Sequence, residues 1–226
     1  MKYKNKNRGI FIERPNRFIA EVEIDGNKKI CHVKNTGRCR ELLIEGVKVI
    51  LEKTDNPTRK TEYDLIAVYK NNELINIDSQ APNKVFGEWA ERGTYFKNIT
   101  LIKPECKYKN SRFDYYIEAD GRKIFVEVKG VTLEKDGVVL FPDAPTERGV
   151  KHINELIDAK ENGFDAYIFF VVQMKKCKYF TPNNQTDPKF AEALKIAKNK
   201  GVNICCVNCN VFEDGFDIDG FVDVVL

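Results

Sequence analysis

Between residues 9 and 77, short runs of alternating apolar and polar residues are broken by turn residues, the pattern of half-buried strands. Residues 9–14 and 17–25 flank Pro15-Asn16, Asp25-Gly26-Asn27 turns into residues 29–33, and residues 47–53, 62–69 and 74–77 add further strands. Residues 38–43 read as one short helix after the Asn35-Thr36-Gly37 turn, closed by Gly46. Several strands with a helix between the third and fourth predict a small Greek-key barrel of the OB type over residues 1–80. From Ala81 the pattern changes. Residues 82–92 read as a helix with Val85, Phe86, Trp89 and Ala90 as its apolar stripe, and residues 99–102 as a strand. Residues 146–161 carry Val150, Ile153, Leu156 and Ile157 at helical spacing, and Gly163 ends that helix. Residues 165–172 and 202–207 read as buried strands, with a helix over residues 188–200 between them. Helix, three strands, helix, strand, helix and strand predict an α/β domain over residues 81–226, a mixed sheet flanked by helices in the restriction-endonuclease-like order.

One segment of that domain carries chemistry. Residues 112–129 read as two strands joined at Asp120-Gly121, a favoured hairpin turn. Alternation puts Glu127 and Lys129 on one face and Val126 and Val128 on the other, and Asp114 lies across the hairpin where it can share the first face. Two acids and a lysine at one strand end suit a divalent-metal phosphodiesterase, in which carboxylates hold a hard cation and the lysine stands beside the attacking water. An acid and a lysine two apart also form solvated surface pairs. Here the apolar neighbours Ile124, Phe125, Val126, Val128 and Val131 argue for a buried strand, where unpaired charge is costly.

Bulk properties limit the classes. The chain has 226 residues, 42% hydrophobic and 31% charged, and describes a globular protein rather than a disordered one. No apolar run approaches the ~18–20 residues of a membrane span, and no apolar signal segment follows the basic start, so no membrane partner and a cytoplasmic location are expected. The seven cysteines lack the paired spacings of a zinc site and read as reduced thiols. Net charge is only +3, but cations outnumber acids in the first forty residues, which hints at a surface facing a polyanion. Arg17, Phe18, Lys34, Arg38 and Arg40 are candidates for it.

Several segments resemble one family. Val126-Glu-Val-Lys-Gly-Val-Thr-Leu133, Phe141-Pro-Asp-Ala144 and Thr146-Glu-Arg-Gly-Val-Lys-His152 are similar to the sugar fermentation stimulation protein A (SfsA) family, as are Asn35-Thr-Gly-Arg38, Ala81-Pro-Asn-Lys84 and Ala166-Tyr-Ile-Phe-Phe170. The resemblance covers nearly the whole chain. It implies an OB-like domain before a nuclease domain of the PD-(D/E)XK type, DNA binding, and an association with sugar (maltose) catabolism in bacteria. It maps the motif aspartate to Asp114, the acid to Glu127 and the lysine to Lys129. Phe113 stands where the motif's name has proline, and Gly130 where relatives often have a small polar residue.

Together these readings predict a nuclease that hydrolyses DNA, with RNA left open, using Mg²⁺ or Mn²⁺ on Asp114 and Glu127. The Val128 carbonyl is a further oxygen and Lys129 acts on the water. Glu88 is an extra ligand or water-holder, set against an ordinary exposed helix glutamate. Arg148 and Lys151 are phosphate contacts at the start of a helix. Thr146, His152 and Asp143 are accessory candidates, set against a packed histidine and a turn aspartate. The alternative is a non-cleaving regulator that grips the DNA backbone. No helix-turn-helix is evident, so either binding mode should be largely sequence-independent. An oligomer remains open.

Overall fold

The computed structural model describes residues 1–35 and 37–226. Its first unit is a barrel of β1 (Lys6–Asn16), β2 (Ile19–Ile24), β3 (Asn27–Val33), β4 (Lys48–Lys53) and β5 (Tyr63–Lys70), with β6 (Glu73–Asn76) added at the edge of β5. The order β3-β2-β1-β4-β5 closes through a parallel β3–β5 pairing, which removes the free edges an open sheet would leave. Asp25-Gly26 and Asn71-Asn72 take left-handed backbone at both turn positions, as two-residue hairpin loops require. Val22, Val49, Leu51, Leu65 and Val68 fill the interior.

The expected helix over residues 38–43 does not form. Cys39 has φ of 46°, which breaks a right-handed helix, and Leu42 and Leu43 N–H both donate to the single carbonyl of Cys39. The Arg14 guanidinium competes for this loop, donating to the carbonyls of Arg17, Asn35, Gly37 and Arg38 at 2.6–2.9 Å. Leu42, 1% exposed, still plugs the barrel end. The turn expected at Asn35-Thr36-Gly37 lies partly outside the described residues, because Thr36 is not among them.

The second unit opens with α1 (Ala81–Glu91), followed by β7 (Ile99–Tyr108), β8 (Ser111–Ala119), β9 (Arg122–Val131), β10 (Leu133–Lys135) and β11 (Val138–Phe141). Then come α2 (Glu147–Glu161), β12 (Asp165–Val172), β13 (Tyr179–Pro182), α3 (Pro188–Asn199), β14 (Asn203–Phe212), β15 (Gly215–Phe221) and β16 (Asp223–Val224). The main sheet has the order β15-β14-β12-β9-β8-β7, with β9, β12 and β14 parallel at its centre. Val85, Phe86 and Trp89 of α1 cover one face, and Ile153 and Leu156 of α2 with Phe190 and Leu194 of α3 cover the other. This is the mixed, helix-flanked α/β layer that the sequence predicts, preceded by the OB barrel. A small sheet, β10-β11-β13-β16, leaves no trace in the hydrophobic pattern, because its strands have four residues at most, too few to show a period.

The units are tied together at several points. The Met1 ammonium donates to the Phe216 carbonyl, and Lys2 bridges Gly215. Arg8 and Tyr69 of the barrel both donate to Glu213, and Lys70 pairs with Glu134 at 2.6 Å. Gln173, 1% exposed, donates to Asn76 Oδ1 and to the Asp78 carbonyl. No helix among the described residues is long and apolar enough to cross a membrane.

Candidate active site at the open end of the central hairpin

Asp120-Gly121 adopts the left-handed pair of a tight hairpin, and the β8–β9 ladder runs from Ala119↔Arg122 to Tyr115↔Val126. Beyond that rung the strands part, and side chains take over the bonding. The Val128 N–H donates to Asp114 Oδ2 at 2.7 Å, and Asn83 Nδ2 of α1 donates to Asp114 Oδ1 at 2.6 Å. Strand alternation slips at this point. Phe113 and Tyr116, three residues apart, both pack on Phe125 with centroids 5.2 Å away, whereas Tyr115 packs on Phe86 of α1. The slip turns Asp114 toward the end of β9.

Glu127 is on the central strand beside β12, opposite Ile168, and is 2% exposed. Its Oε1 accepts from Lys129 Nζ at 2.5 Å and contacts His152 Nδ1. The other nitrogen of His152, Nε2, lies 3.4 Å from Arg148 Nε. An arginine can only donate, so the network assigns the imidazole proton to Nδ1, aimed at Glu127. Glu127 Oε2 is buried with no hydrogen-bond partner.

Charge reflects this geometry. Burial pushes the Asp114 carboxyl up to about 6, and the negative charge of Glu127 adds to the rise, against the Val128 N–H and Lys129. Burial pushes Glu127 the same way but is outweighed by the His152 hydrogen bond and the Lys129 charge, so its carboxyl lies below the ordinary value. An orphaned buried carboxylate oxygen beside a second, reluctantly ionised carboxylate is a donor set that a hard divalent cation fits. Among the described residues no three His, Cys, Asp or Glu side chains cluster as a metal cage. Asp114 and Glu127 would therefore supply two oxygen ligands to such a cation and leave further positions open.

The other expected residues divide. His152 joins the cluster directly, and Arg148 joins it through His152; Lys151 is exposed on the same helix, 3.8 Å from Glu155. Thr146 is the cap of α2, its Oγ1 accepting from the Gly149 N–H at 3.0 Å. Glu88 does not reach the acids: its carboxylate pairs with the Met1 ammonium at 2.8 Å. The α1 residue that touches Asp114 is Asn83, whose carbonyl also accepts from the Tyr115 hydroxyl. Its only signal in the sequence is its place in the first turn of α1, within Ala81-Pro-Asn-Lys84.

Asp143 lies against Gly37 of the barrel, where an added Cβ would meet its Oδ2 at 2.5 Å. Arg17, Arg38 and Arg40 line one groove of ≈ 470 Å³ on the barrel, and the Arg17 guanidinium stacks 4.7 Å over Phe18. Lys34 is not part of it. Its ammonium is turned inward to Asp64 at 2.9 Å and Asp78 at 3.7 Å, a structural ion pair rather than a phosphate contact. Arg14, which no local sequence pattern marks, is the residue that holds the neighbouring loop.

Known proteins agree with this architecture. Residues 80–215 match the family model described as the sugar fermentation stimulation protein RE domain. The chain belongs to the SfsA family. Residues 12–77 match its N-terminal OB domain. A sugar fermentation stimulation protein homolog of Clostridium beijerinckii is 59% identical over 226 residues, covering 100% of each chain. One from Ruminiclostridium cellulolyticum is 60% identical over the same length, again with 100% of each chain covered. The solved structure of Pyrococcus furiosus SfsA, in complex with Ca²⁺, superposes with a TM-score of 0.91 at 30% identity, covering 100% of this chain and 98% of that one.

Proposed function

We propose that this SfsA-family chain is a divalent-cation-dependent nuclease that hydrolyses phosphodiester bonds in DNA, with residues 81–226 cutting and residues 1–80 gripping the strand. One observation carries the reading: Glu127 Oε2 is buried and partnerless, while Oε1 holds Lys129 and His152 and the charge of Glu127 raises Asp114. A pure backbone binder gains nothing from two acids set where phosphate must lie. The Pyrococcus furiosus relative is in complex with Ca²⁺, which supports a divalent cation as a partner of this chain.

Asp114 and Glu127 would hold Mg²⁺ or Mn²⁺, with the Val128 carbonyl as a further oxygen. The chemistry supplied at these residues by a bound cation would be Lewis acidity toward the phosphate and the water. Lys129 places a positive charge at the reacting centre and orients the attacking water. His152 keeps Glu127 ionised and fixed, which is a positioning role. Arg148 and Lys151, exposed in the first two turns of α2, contact flanking phosphates. The second reading is a non-cleaving DNA-binding regulator of sugar catabolism; the curated relatives' name, sugar fermentation stimulation protein homolog, supports its link to sugars.

Cleavage of single- and double-stranded DNA and RNA with Mg²⁺ or Mn²⁺, by wild type and Glu127→Ala, separates the two. Products from wild type alone support the nuclease. No products from any substrate, with binding that weakens as salt rises, would leave the regulator.

A further inference from the structure

A second groove lies between the two units. It is a cleft of ≈ 160 Å³ bordered by Asn35, Gly37 and Ser79 on the barrel side and by Gly130, Thr132 and Asp143 on the other. Gly37 also borders the arginine groove that holds Arg17, Arg38 and Arg40, so the two depressions meet at one residue. The cleft also reaches Gly130 of β9. Walls on both sides are fixed. Arg14 holds the carbonyls of Asn35 and Gly37, and Gln173 is locked into Asn76 and Asp78 across the junction.

This continuity has a chemical character. The outer groove is lined by Arg14, Arg17, Arg38 and Arg40 together with Glu13 and Glu45, and Phe18, an aromatic 45% exposed, lies under the Arg17 guanidinium at its border. Exposed aromatics beside arginines bind unpaired bases by stacking and backbone phosphates by charge. The inner cleft is too small for paired strands but suits one nucleobase. It is lined mainly by polar surface, including the exposed Asp143 carboxylate, which offers acceptors to a base edge, and the Asn35 and Ser79 side chains, which also hold the Gly37 N–H and the Ile77 and Lys34 carbonyls.

The geometry points to a track for one unpaired strand of nucleic acid, running from Arg17, Phe18, Arg38 and Arg40 past Gly37 and placing one base in the Gly130–Asp143 cleft. The substrate class is then single-stranded nucleic acid, or the unpaired segment of a branched or frayed duplex. This inference rests on the nuclease reading for its purpose, but its test reads binding alone.

Fluorescence anisotropy with Ca²⁺ in place of Mg²⁺ or Mn²⁺ measures a labelled single-stranded oligonucleotide, as DNA and as RNA, against the blunt duplex of the same sequence. The track predicts single-strand affinity at least about tenfold above duplex affinity. Phe18→Ala and Ser79→Trp, one removing the stacking platform and one obstructing the cleft, should each weaken single-strand binding about tenfold at an unchanged melting temperature. Thr132→Trp narrows the cleft from the opposite wall and serves if Ser79→Trp is unstable. Preference for DNA or for RNA identifies the source of the strand, and either supports the track. Equal affinity for duplex and single strand, or full single-strand affinity in folded Ser79→Trp and Thr132→Trp, would overturn it. Neither result depends on whether the bound strand is cut.

Discussion

Lys129 and His152 meet at one atom, Glu127 Oε1, although they come from β9 and α2. Two donors on one oxygen keep a 2%-exposed carboxylate ionised and leave Oε2 without a partner. Replacing His152 with alanine removes one of them and leaves the charge less compensated. His152→Ala should lose about 1.5–3 kcal/mol of stability in cation-free denaturant unfolding. Saturating Ca²⁺ should recover part of that loss. An unchanged unfolding midpoint would show that the contact has no energetic role.

Asp114 gives a pH dependence of definite sign. Its carboxyl is raised to about 6 by burial first and by Glu127 second, so the folded state holds this proton more tightly than the unfolded chain does. The cost of ionising it is present in full above pH ~6 and is relieved as pH falls toward the ordinary carboxyl value of ~4. A divalent cation that binds the ionised pair should therefore raise the melting temperature more at pH 7.5 than at pH 5, and Asp114→Asn should flatten that difference. A cation increment that is the same at both pH values would contradict the assignment of Asp114 as a ligand.

Gly130 explains why no accessory side chain follows the lysine here. A Cβ at this position would lie 2.6 Å from Gln173 Oε1 and 2.7 Å from Pro82 Cγ. Gln173 cannot swing away without breaking its bonds to Asn76 and Asp78. Gly130→Ala should cost about 1–3 kcal/mol in urea unfolding. The double variant with Gln173→Ala should cost less than the sum of the two single losses, because removing the glutamine side chain makes room. Strict additivity would mean that the two residues do not press on each other.

The sequence exposes the hairpin well because two local signals agree there: a turn pair that demands left-handed backbone, and apolar alternation interrupted only at Glu127 and Lys129. It serves poorly wherever a distant partner decides. Glu88 looks like a third acid until the chain's own amino terminus arrives beside it, and no local pattern shows that Asn83 is the α1 residue that faces Asp114. Lys34 sits near Arg38 and Arg40 in sequence, yet β3 pairs with β5 and delivers it to Asp64. The helix expected over residues 38–43 loses to Arg14, which takes the surrounding carbonyls from a strand more than twenty residues earlier.

The most direct measurement is the cleavage rate of Lys129→Ala at saturating Mg²⁺ or Mn²⁺, with cation binding followed by calorimetry on the same preparation. Lys129 contacts Glu127 but is not itself a ligand, so the account predicts that the cation still binds while the rate falls by about a hundredfold or more. A Lys129→Ala protein that cuts as fast as wild type would contradict it.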